Sequence, residues 1–310
     1  IRDRHSGKGV TEGLLLLDKP TGPTSHDIIV KVRRLLGVKK AGHTGTLDPI
    51  ASGLLVILLG RATKLAPFLP QDPKIYEGSL ILGVTTDSMD IEGKVTDESP
   101  YRDGQTEARA ALVSLQGELE QLPPMFSAVK YRGVPLYRYA RRGEDVPRKS
   151  RKVDLYEVDM TAFRQERSKA EADFIISCSP CTYVRSLVAQ VGDILGCGAS
   201  LSSLRRLASG PFQLKDALTM EELASETEKG VLPLIGMVEA VNDLNKVTVQ
   251  EEWEKTANNG APLEEGMIEQ LDQTVQKGET VAVISPKGVL VGFHTVMRSR
   301  PFYSKPRRIV

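Results

Sequence analysis

Residues 42–59 read GHTGTLDPIASGLLVILL, a glycine-rich loop that carries one carboxylate and runs directly into an apolar segment. A glycine costs about 1 kcal/mol relative to alanine inside a helix, and Pro49 pushes Asp48 towards an extended conformation. Asp48 is therefore predicted to lie on a shaped loop beside a buried strand, a position from which side chains often act on ligands. The same residues also fit a plain turn in which Asp48 bonds its own backbone.

Hydrophobic periodicity extends the prediction in both directions along the chain. Apolar runs predict buried strands at 13–20 and 54–59, and a capped amphipathic pattern predicts a helix at 24–37. Farther on, the patterns predict a set of elements: a short helix at 61–69, a strand at 74–84, a helix at 103–119, a hairpin of 153–163 with 170–179, helices at 182–196 and near 219–229, a helix at 250–259, and a strand–turn–strand over 279–297.

Composition indicates an ordinary globular protein. The 310 residues suffice for one large and one small domain, and 40% hydrophobic with 26% charged residues is typical of soluble chains. No apolar stretch approaches the ~18–20 residues of a membrane span. Three cysteines suit a reducing compartment such as the cytoplasm. Cys178 and Cys181 have CxxC spacing, but without a second pair or a nearby histidine pair they do not predict a zinc site.

The charges are unevenly distributed although the net charge is only +1. Basic runs occur at 31–40, 141–152, 204–207 and 298–308, and they form either solvated surfaces or one shared face for nucleic acid. Residues 120–152 lose all periodicity and interleave tyrosine, phenylalanine and arginine, the side chains on which unstacked bases rest. An ordinary surface insertion is the other interpretation of this stretch.

Seven segments carry a family resemblance. In chain order they are LDKPTGPTSHD (17–27), AGHTGTLDPIASGLL (41–55), GVTTDSMDIEG (83–93), LPPMFSAVKYRG (122–133), TYVRSL (182–187), LGCGA (195–199) and LRRLASGPF (204–212). Together they resemble the bacterial tRNA pseudouridine(55) synthases, the TruB family. The resemblance implies an α+β fold: a catalytic domain with a mixed, largely antiparallel sheet over 10–245, an RNA-clamping insertion over 124–152, and a small C-terminal β domain of the PUA type over 246–310.

The resemblance also implies an activity. Enzymes of this family isomerise a uridine in the T arm of tRNA by breaking the N1–C1′ bond and rejoining the base through C5. They use no metal or organic cofactor, so we expect none here. We further expect a cytoplasmic monomer that acts on the T stem-loop of tRNA and needs neither a protein partner nor a membrane.

Catalytic roles carry over to three positions. Asp48 matches the essential aspartate, which acts as a nucleophile or as a base for a sugar proton. Arg185 matches the arginine that pairs with this aspartate, and an opposite charge favours the ionised form of a buried carboxylate. Tyr76 matches the tyrosine on which the everted base stacks, and its phenol can relay the proton that leaves C5.

Substrate-binding roles carry over to five further positions. Tyr183 and Leu204 match residues that line the uracil pocket, and His43 matches a histidine that occupies the vacated space in the T loop. Lys19 and Lys130 match basic positions near the site, either for phosphate contact or, for Lys19, for support of the loop.

Two residues depart from the family pattern. Cys181 stands where glycine is common, which weakens the placing of the neighbouring tyrosine. Phe126 stands where tyrosine is usual and lacks its hydroxyl.

Three other functions remain open from the sequence. A guide-RNA-dependent pseudouridine synthase of the same family would carry a longer basic C-terminal domain. An RNA-binding or tRNA-folding protein would need Asp48 only for structure. A carboxylate-dependent glycosidase would need a second catalytic acid, and none recurs near Asp48 in the sequence.

Overall fold

A computed structural model describes residues 11–166, 169–271 and 275–310 of the protein. The strands of its first part are β1 (Gly13–Lys19), β2 (Ala41–Thr44), β3 (Ala51–Leu59), β4 (Lys74–Leu82), β5 (Val84–Thr86), β6 (Val95–Glu98), β7 (Gly117–Gln121), β8 (Lys130–Tyr131), β9 (Val134–Pro135), β10 (Arg151–Glu166), β11 (Lys169–Cys178), β12 (Ala199–Ser209) and β13 (Phe212–Gln213). The predicted 153–163 and 170–179 hairpin is confirmed as β10 and β11; part of its expected turn, 167–168, lies outside the described residues.

One large sheet forms the centre of this part. Its strands follow the order β1-β3-β12-β4-β11-β10-β7, with β2 added to β3 and β13 to β12. Within the described ranges every pairing of this sheet is antiparallel except that of β3 with β12, which is parallel. The sheet is therefore mixed and largely antiparallel, which confirms the predicted fold class.

The helices are α1 (Ser25–Leu36), α2 (Gln105–Val113), α3 (Leu136–Ala140), α4 (Val184–Leu195), α5 (Met220–Glu228) and α6 (Glu254–Asn258). The predicted capping of the first helix is confirmed. The Thr24 hydroxyl accepts from the Asp27 backbone N–H at 3.1 Å, and the Asp27 carboxylate accepts from the Thr24 N–H at 2.9 Å. Gly37 ends the helix at φ +64°.

The helix predicted over 103–119 is wrong in its second half. α2 ends at Val113, and residues from Gly117 onward form β7, which pairs with β10 at the edge of the sheet. Gly117 has φ +112°, a conformation that helices do not use, so the chain turns away there. Pairing with a distant strand decides this segment, and local helix propensity does not.

A second sheet is built from the C-terminal strands β14 (Lys246–Val249), β15 (Leu263–Glu264), β16 (Ile268–Leu271), β17 (Thr280–Ile284), β18 (Leu290–Ser299) and β19 (Phe302–Ile309). Their order is β15-β19-β18-β17-β14-β16. The predicted strand–turn–strand is confirmed as β17 and β18. The helix predicted at 250–259 is confirmed in its extent, but its first turn, Glu251–Trp253, is 3₁₀ and only α6 is α-helical.

The two sheets share one apolar cluster. Leu14 and Leu54 of the first sheet belong to the same cluster as Ala282 and Phe293 of the second. Phe68 stacks on Phe293 with ring centroids 3.8 Å apart and an interplanar angle of 11°. A continuous core of this kind resists separation of the two sheets, because opening it exposes apolar surface to water. No helix in the described part of the chain is long and apolar enough to cross a membrane.

Candidate active site

The loop between β2 and β3 carries Asp48 and is held in one shape by its neighbours. Ser25, at the start of α1, accepts from the Leu47 N–H at 2.9 Å and donates its hydroxyl to the Leu47 carbonyl at 3.0 Å. Gly45 opens the loop at φ +65°, which favours glycine. The Asp48 carbonyl accepts from the Ala51 N–H at 3.1 Å, so the chain turns directly after the carboxylate and enters β3.

Two buried cations brace the same loop from below. Lys19, at the end of β1, is fully buried and donates to the Ala51 carbonyl at 2.6 Å. Arg206 of β12 is also fully buried and donates to the carbonyls of Leu54 at 2.7 Å and Gly45 at 2.9 Å. Burial lowers the pKa of Lys19 to about 8, and the nearby Asp48 carboxylate opposes this effect. Backbone carbonyls fixed by charged donors make a rigid platform for the acid.

Arg185 and Asp48 form an ion pair across the site. Arg185 lies in the first turn of α4, and its Nε donates to Asp48 Oδ2 at 2.9 Å, with Nη2 also 2.9 Å from the same oxygen. The arginine side chain is 4% exposed, whereas that of the aspartate is 36% exposed. The cation is thus part of the protein interior, and the carboxylate faces open space from its surface.

The guanidinium of Arg185 is fixed by three further groups. Nη1 donates to the Ser88 carbonyl at 2.8 Å, and Nη2 donates to the Phe126 carbonyl at 2.7 Å. The buried Asp90 carboxylate lies 3.6 Å from Nε, so a second acid helps to balance the charge. Because Phe126 contributes its backbone carbonyl, the missing tyrosine hydroxyl at this position does not affect this contact.

A cavity of about 360 Å³ opens in front of the ion pair. Asp48, Arg185, Tyr76, Tyr183 and Leu204 all line it. The volume lies in the range of small-molecule sites and matches a single everted nucleoside rather than a duplex. The structure therefore brings five of the eight residues selected from the sequence to one cavity.

Tyr76 forms part of the cavity wall with its side chain almost fully buried on β4. Burial raises the pKa of its phenol, and the positive charge of Arg206 opposes that rise. The phenol is therefore neutral at physiological pH. Leu204 of β12 pairs with Gly78, which lies two residues after Tyr76 on β4. The side chains of Tyr76 and Leu204 therefore reach the cavity from adjacent strands.

Three residues selected from the sequence do not line the cavity. Lys19 is below the loop and bonds backbone carbonyls, which favours the supporting role over phosphate contact. His43 is half-buried on β2, and its Nδ1 has no hydrogen-bond partner among the described residues. Burial, followed by the charge of Arg206, lowers the pKa of His43. Lys130 is exposed on the β8–β9 hairpin.

Comparisons with known proteins decide the family. A model of the TruB family pseudouridylate synthase N-terminal domain matches residues 33–184, and one of the tRNA pseudouridylate synthase B C-terminal domain matches 185–234. The tRNA pseudouridine synthase B of Geobacillus thermodenitrificans is 40% identical over 308 residues, which cover 96% of this chain and 99% of that protein. The chain belongs to the TruB family. It is therefore an enzyme that isomerises uridine to pseudouridine.

Other TruB relatives and solved structures agree with this assignment. The tRNA pseudouridine synthase B of Bacillus subtilis is 36% identical over 306 residues, covering 97% of this chain and 98% of that protein. A structure entitled "Crystal Structure of a Cbf5-Nop10-Gar1 Complex" matches with TM-score 0.71 and 25% identity over 99% of this chain and 91% of the other. A structure of an H/ACA RNP bound to a substrate RNA matches with TM-score 0.71 at 24% identity, over 96% of this chain and 84% of the other, and so shares the fold.

Residues of this TruB site that sequence reasoning missed are mostly charged and buried. Lys74 and Arg151 line the cavity, Asp90 faces Arg185, and Arg206 underlies the loop. Arg206 belongs to the basic run 204–207, so that run is not a solvated surface. Two adjacent arginines between Leu204 and Leu207 suggested a surface, and no local pattern marked one of them as buried. Within the described residues, no group of three or more histidine, cysteine, aspartate or glutamate side chains is placed to hold a metal ion.

Proposed function

We propose that the protein converts uridine 55 in the T arm of tRNA into pseudouridine, with Asp48 acting on the everted nucleoside. The observation that carries the proposal is the Asp48–Arg185 ion pair at the wall of a nucleoside-sized cavity. The substrate follows from the relatives, because proteins 36–40% identical over nearly the whole chain are named tRNA pseudouridine synthase B.

The geometry supports a division of labour among the cavity residues. Arg185 holds the Asp48 carboxylate in place and aims it at the sugar, where it acts either on C1′ or on a sugar proton. The N1–C1′ bond breaks, the uracil turns in place against Tyr76 and Leu204, and C5 bonds to C1′. The hydrogen that leaves C5 is replaced in the product by one on N1, so atoms balance without an oxidant or reductant.

The clamp segment, residues 124–152, is part of this proposal as the element that holds RNA over the cavity. Its tyrosines pair with arginines: Arg132 lies 5.3 Å from the ring centroid of Tyr131, and Arg142 lies 4.8 Å from that of Tyr139. The arginines are exposed and the tyrosines half-buried, and pairs of this chemistry suit phosphates and unstacked bases. The bond from Arg185 to the Phe126 carbonyl ties the segment to the site.

The remaining elements complete the proposal. Residues 10–245 form the catalytic domain and 246–310 a PUA-like domain that extends the RNA contacts. Phosphates and folded loop shape, rather than duplex base edges, provide recognition, because A-form grooves hide those edges from side chains. The enzyme acts without a guide RNA, since the relatives named for tRNA are more similar in sequence than the H/ACA structures. As part of the same proposal, it acts as a monomer in the cytoplasm.

Incubation of purified protein with an unmodified tRNA transcript, followed by mapping of pseudouridine, tests the function. We expect modification at position 55 with no added protein or RNA, and none on a transcript carrying cytidine there. Asp48→Asn keeps the shape of the side chain and should reduce turnover by roughly four orders of magnitude, as removal of a central catalytic group does. Retained tRNA binding with lost turnover supports catalysis, whereas full activity of Asp48→Asn refutes it.

A further inference from the structure

Two cationic side chains, Lys74 and Arg206, meet beside Gly45, at the start of the loop that carries Asp48, without an acid from the described ranges paired to the two facing nitrogens. A Cβ atom placed on Gly45 would lie 2.9 Å from Lys74 Nζ and 3.1 Å from Arg206 Nη1. These two nitrogens therefore approach the same point from different strands. Among the described residues, Lys74 Nζ makes no ion pair with an acid, and Arg206 Nη1 has no hydrogen-bond partner.

Such an arrangement is unfavourable unless an anion joins it. Arg206 is fully buried and Lys74 is 7% exposed, so water does little to separate the two charges. Burial, followed by the charge of Arg206, lowers the pKa of Lys74, and the Asp72 carboxylate, which makes no ion pair with Lys74, opposes this effect. Arg206 uses its other nitrogens on backbone carbonyls and is fixed, whereas Lys74 lines the cavity and can reach a ligand.

The position of Lys74 relative to Tyr76 indicates which kind of anion would join the two cations. Lys74 and Tyr76 are two residues apart on β4, so both side chains project from the same face of the strand. They are spaced by about 6–7 Å along that face. A nucleotide whose base rests on Tyr76 thus brings its own backbone, one sugar away, beside Lys74. RNA carries one negative charge on each linkage, and Lys is a common phosphate ligand.

We propose that Lys74, backed by Arg206, forms an anion subsite that binds a phosphodiester adjacent to the everted uridine. The inference rests on the proposed function, because it takes RNA as the ligand. Gly45 leaves the space at this subsite, since any larger residue would place its Cβ against both cations. The subsite anchors the strand while the base turns in the cavity.

Binding of synthetic T stem-loops to the Asp48→Asn protein tests the subsite without turnover. One RNA is unmodified, and two others each carry a single uncharged methylphosphonate, placed 5′ or 3′ of the target uridine. We expect Lys74→Met to weaken binding of the unmodified RNA about tenfold or more. The salt dependence of binding should lose slightly less than one unit of its logarithmic slope. At one of the two linkages, methylphosphonate should cost affinity with Lys74 present and nothing further with Lys74→Met.

Two variants control for folding and for general loss of charge. Lys74→Arg keeps a cation and should bind within a few-fold of the parent. Lys229→Met removes a lysine that pairs with Glu226 on α5, outside the cavity, and should leave binding unchanged.

If the affinity lost through methylphosphonate adds to that lost through Lys74→Met at both linkages, the inference is overturned. Unchanged RNA binding by Lys74→Met overturns it too. Lys74→Met that slows turnover without weakening binding overturns it as well, because the lysine then acts on the base. These results leave the proposed function intact if the parent still modifies tRNA; failure of the parent on tRNA refutes the function instead.

Discussion

Arg185 is the side chain that fixes the Asp48 carboxylate in the site. Its guanidinium reaches Asp48 and the carbonyls of Ser88 and Phe126 at the same time. An ammonium group offers one compact charge and cannot span these three acceptors. We therefore expect Arg185→Lys to reduce kcat by roughly a hundredfold or more, since small misplacement of a catalytic group is that costly. Single-turnover rates on a T-arm substrate measure the effect.

Arg164→Lys is the matched control for this change. Arg164 pairs with Asp173 at 2.7 Å on the exposed side of the β10–β11 hairpin, and such pairs contribute little. Its rate should stay within a few-fold of the parent. If Arg185→Lys behaves in the same way, the pairing with Asp48 is not needed for turnover.

Single residues also show what the sequence reveals and what it hides. Asp48 and Arg185 are 137 positions apart, and only the family resemblance connects them before the structure is known. Lys74 carries no such signal, and Arg206 lies in the resembling segment 204–212 without a role that the resemblance implies for it. Their burial depends on β12 and β4 lying side by side inside the sheet, which no local pattern of an arginine or a lysine encodes.

At the scale of elements, the connection from β11 to α4 is strained at one position. Cys181 has φ +70°, in the left-handed region that costs an ordinary residue about 1–2 kcal/mol. Glycine adopts this conformation freely, although it also loses more entropy on folding. We expect Cys181→Gly to raise the free energy of unfolding by about 0.5–1 kcal/mol, seen as a melting temperature higher by about 1–2 °C.

Cys181→Ala separates backbone strain from loss of the thiol. Alanine keeps the Cβ atom and should give no such gain in stability. Equal melting temperatures for the glycine and alanine variants would mean that the connection stores no strain. Both variants should remain active, because Tyr183 N–H is fixed by Gln121 Oε1 at 2.7 Å and does not depend on the thiol.

The same scale explains which elements the sequence predicts well. α1 carries its own boundaries in Thr24 and Gly37, and its apolar stripe faces the sheet. β7 carries no comparable signal, because Gly-Glu-Leu-Glu-Gln is polar and helix-prone. Only the partner strand β10, more than thirty residues later, makes it a strand. Elements fixed by local chemistry are predicted, and elements fixed by distant pairing are not.

For the whole molecule, the shared core joins the two sheets into one unfolding unit. The stacked pair of Phe68 and Phe293 and the cluster around it would be exposed if either sheet opened alone. A change in protonation of a group buried in the C-terminal sheet should therefore alter the free energy of unfolding of the entire chain. One such group is His294 on β18, which is fully buried and has Nδ1 3.1 Å from Ser304 Oγ and no partner at Nε2 among the described residues.

Burial lowers the pKa of His294 to about 4, so the folded protein disfavours its protonated form. In the unfolded chain the imidazole titrates near its ordinary pKa of about 6.5. The stabilising effect of a neutral His294 is thus complete above pH 6.5 and is lost as the pH falls towards 4. Between pH 7 and pH 5 we expect a loss of about 2 kcal/mol in the free energy of unfolding.

Denaturant unfolding of the protein and of His294→Gln at each pH measures this loss, and the variant corrects for carboxylates, which titrate as well. The gap between the two proteins should narrow by that amount as the pH falls, in a single transition. A constant gap would show that the imidazole is not kept neutral by the fold, and two separate transitions would show that the sheets unfold independently.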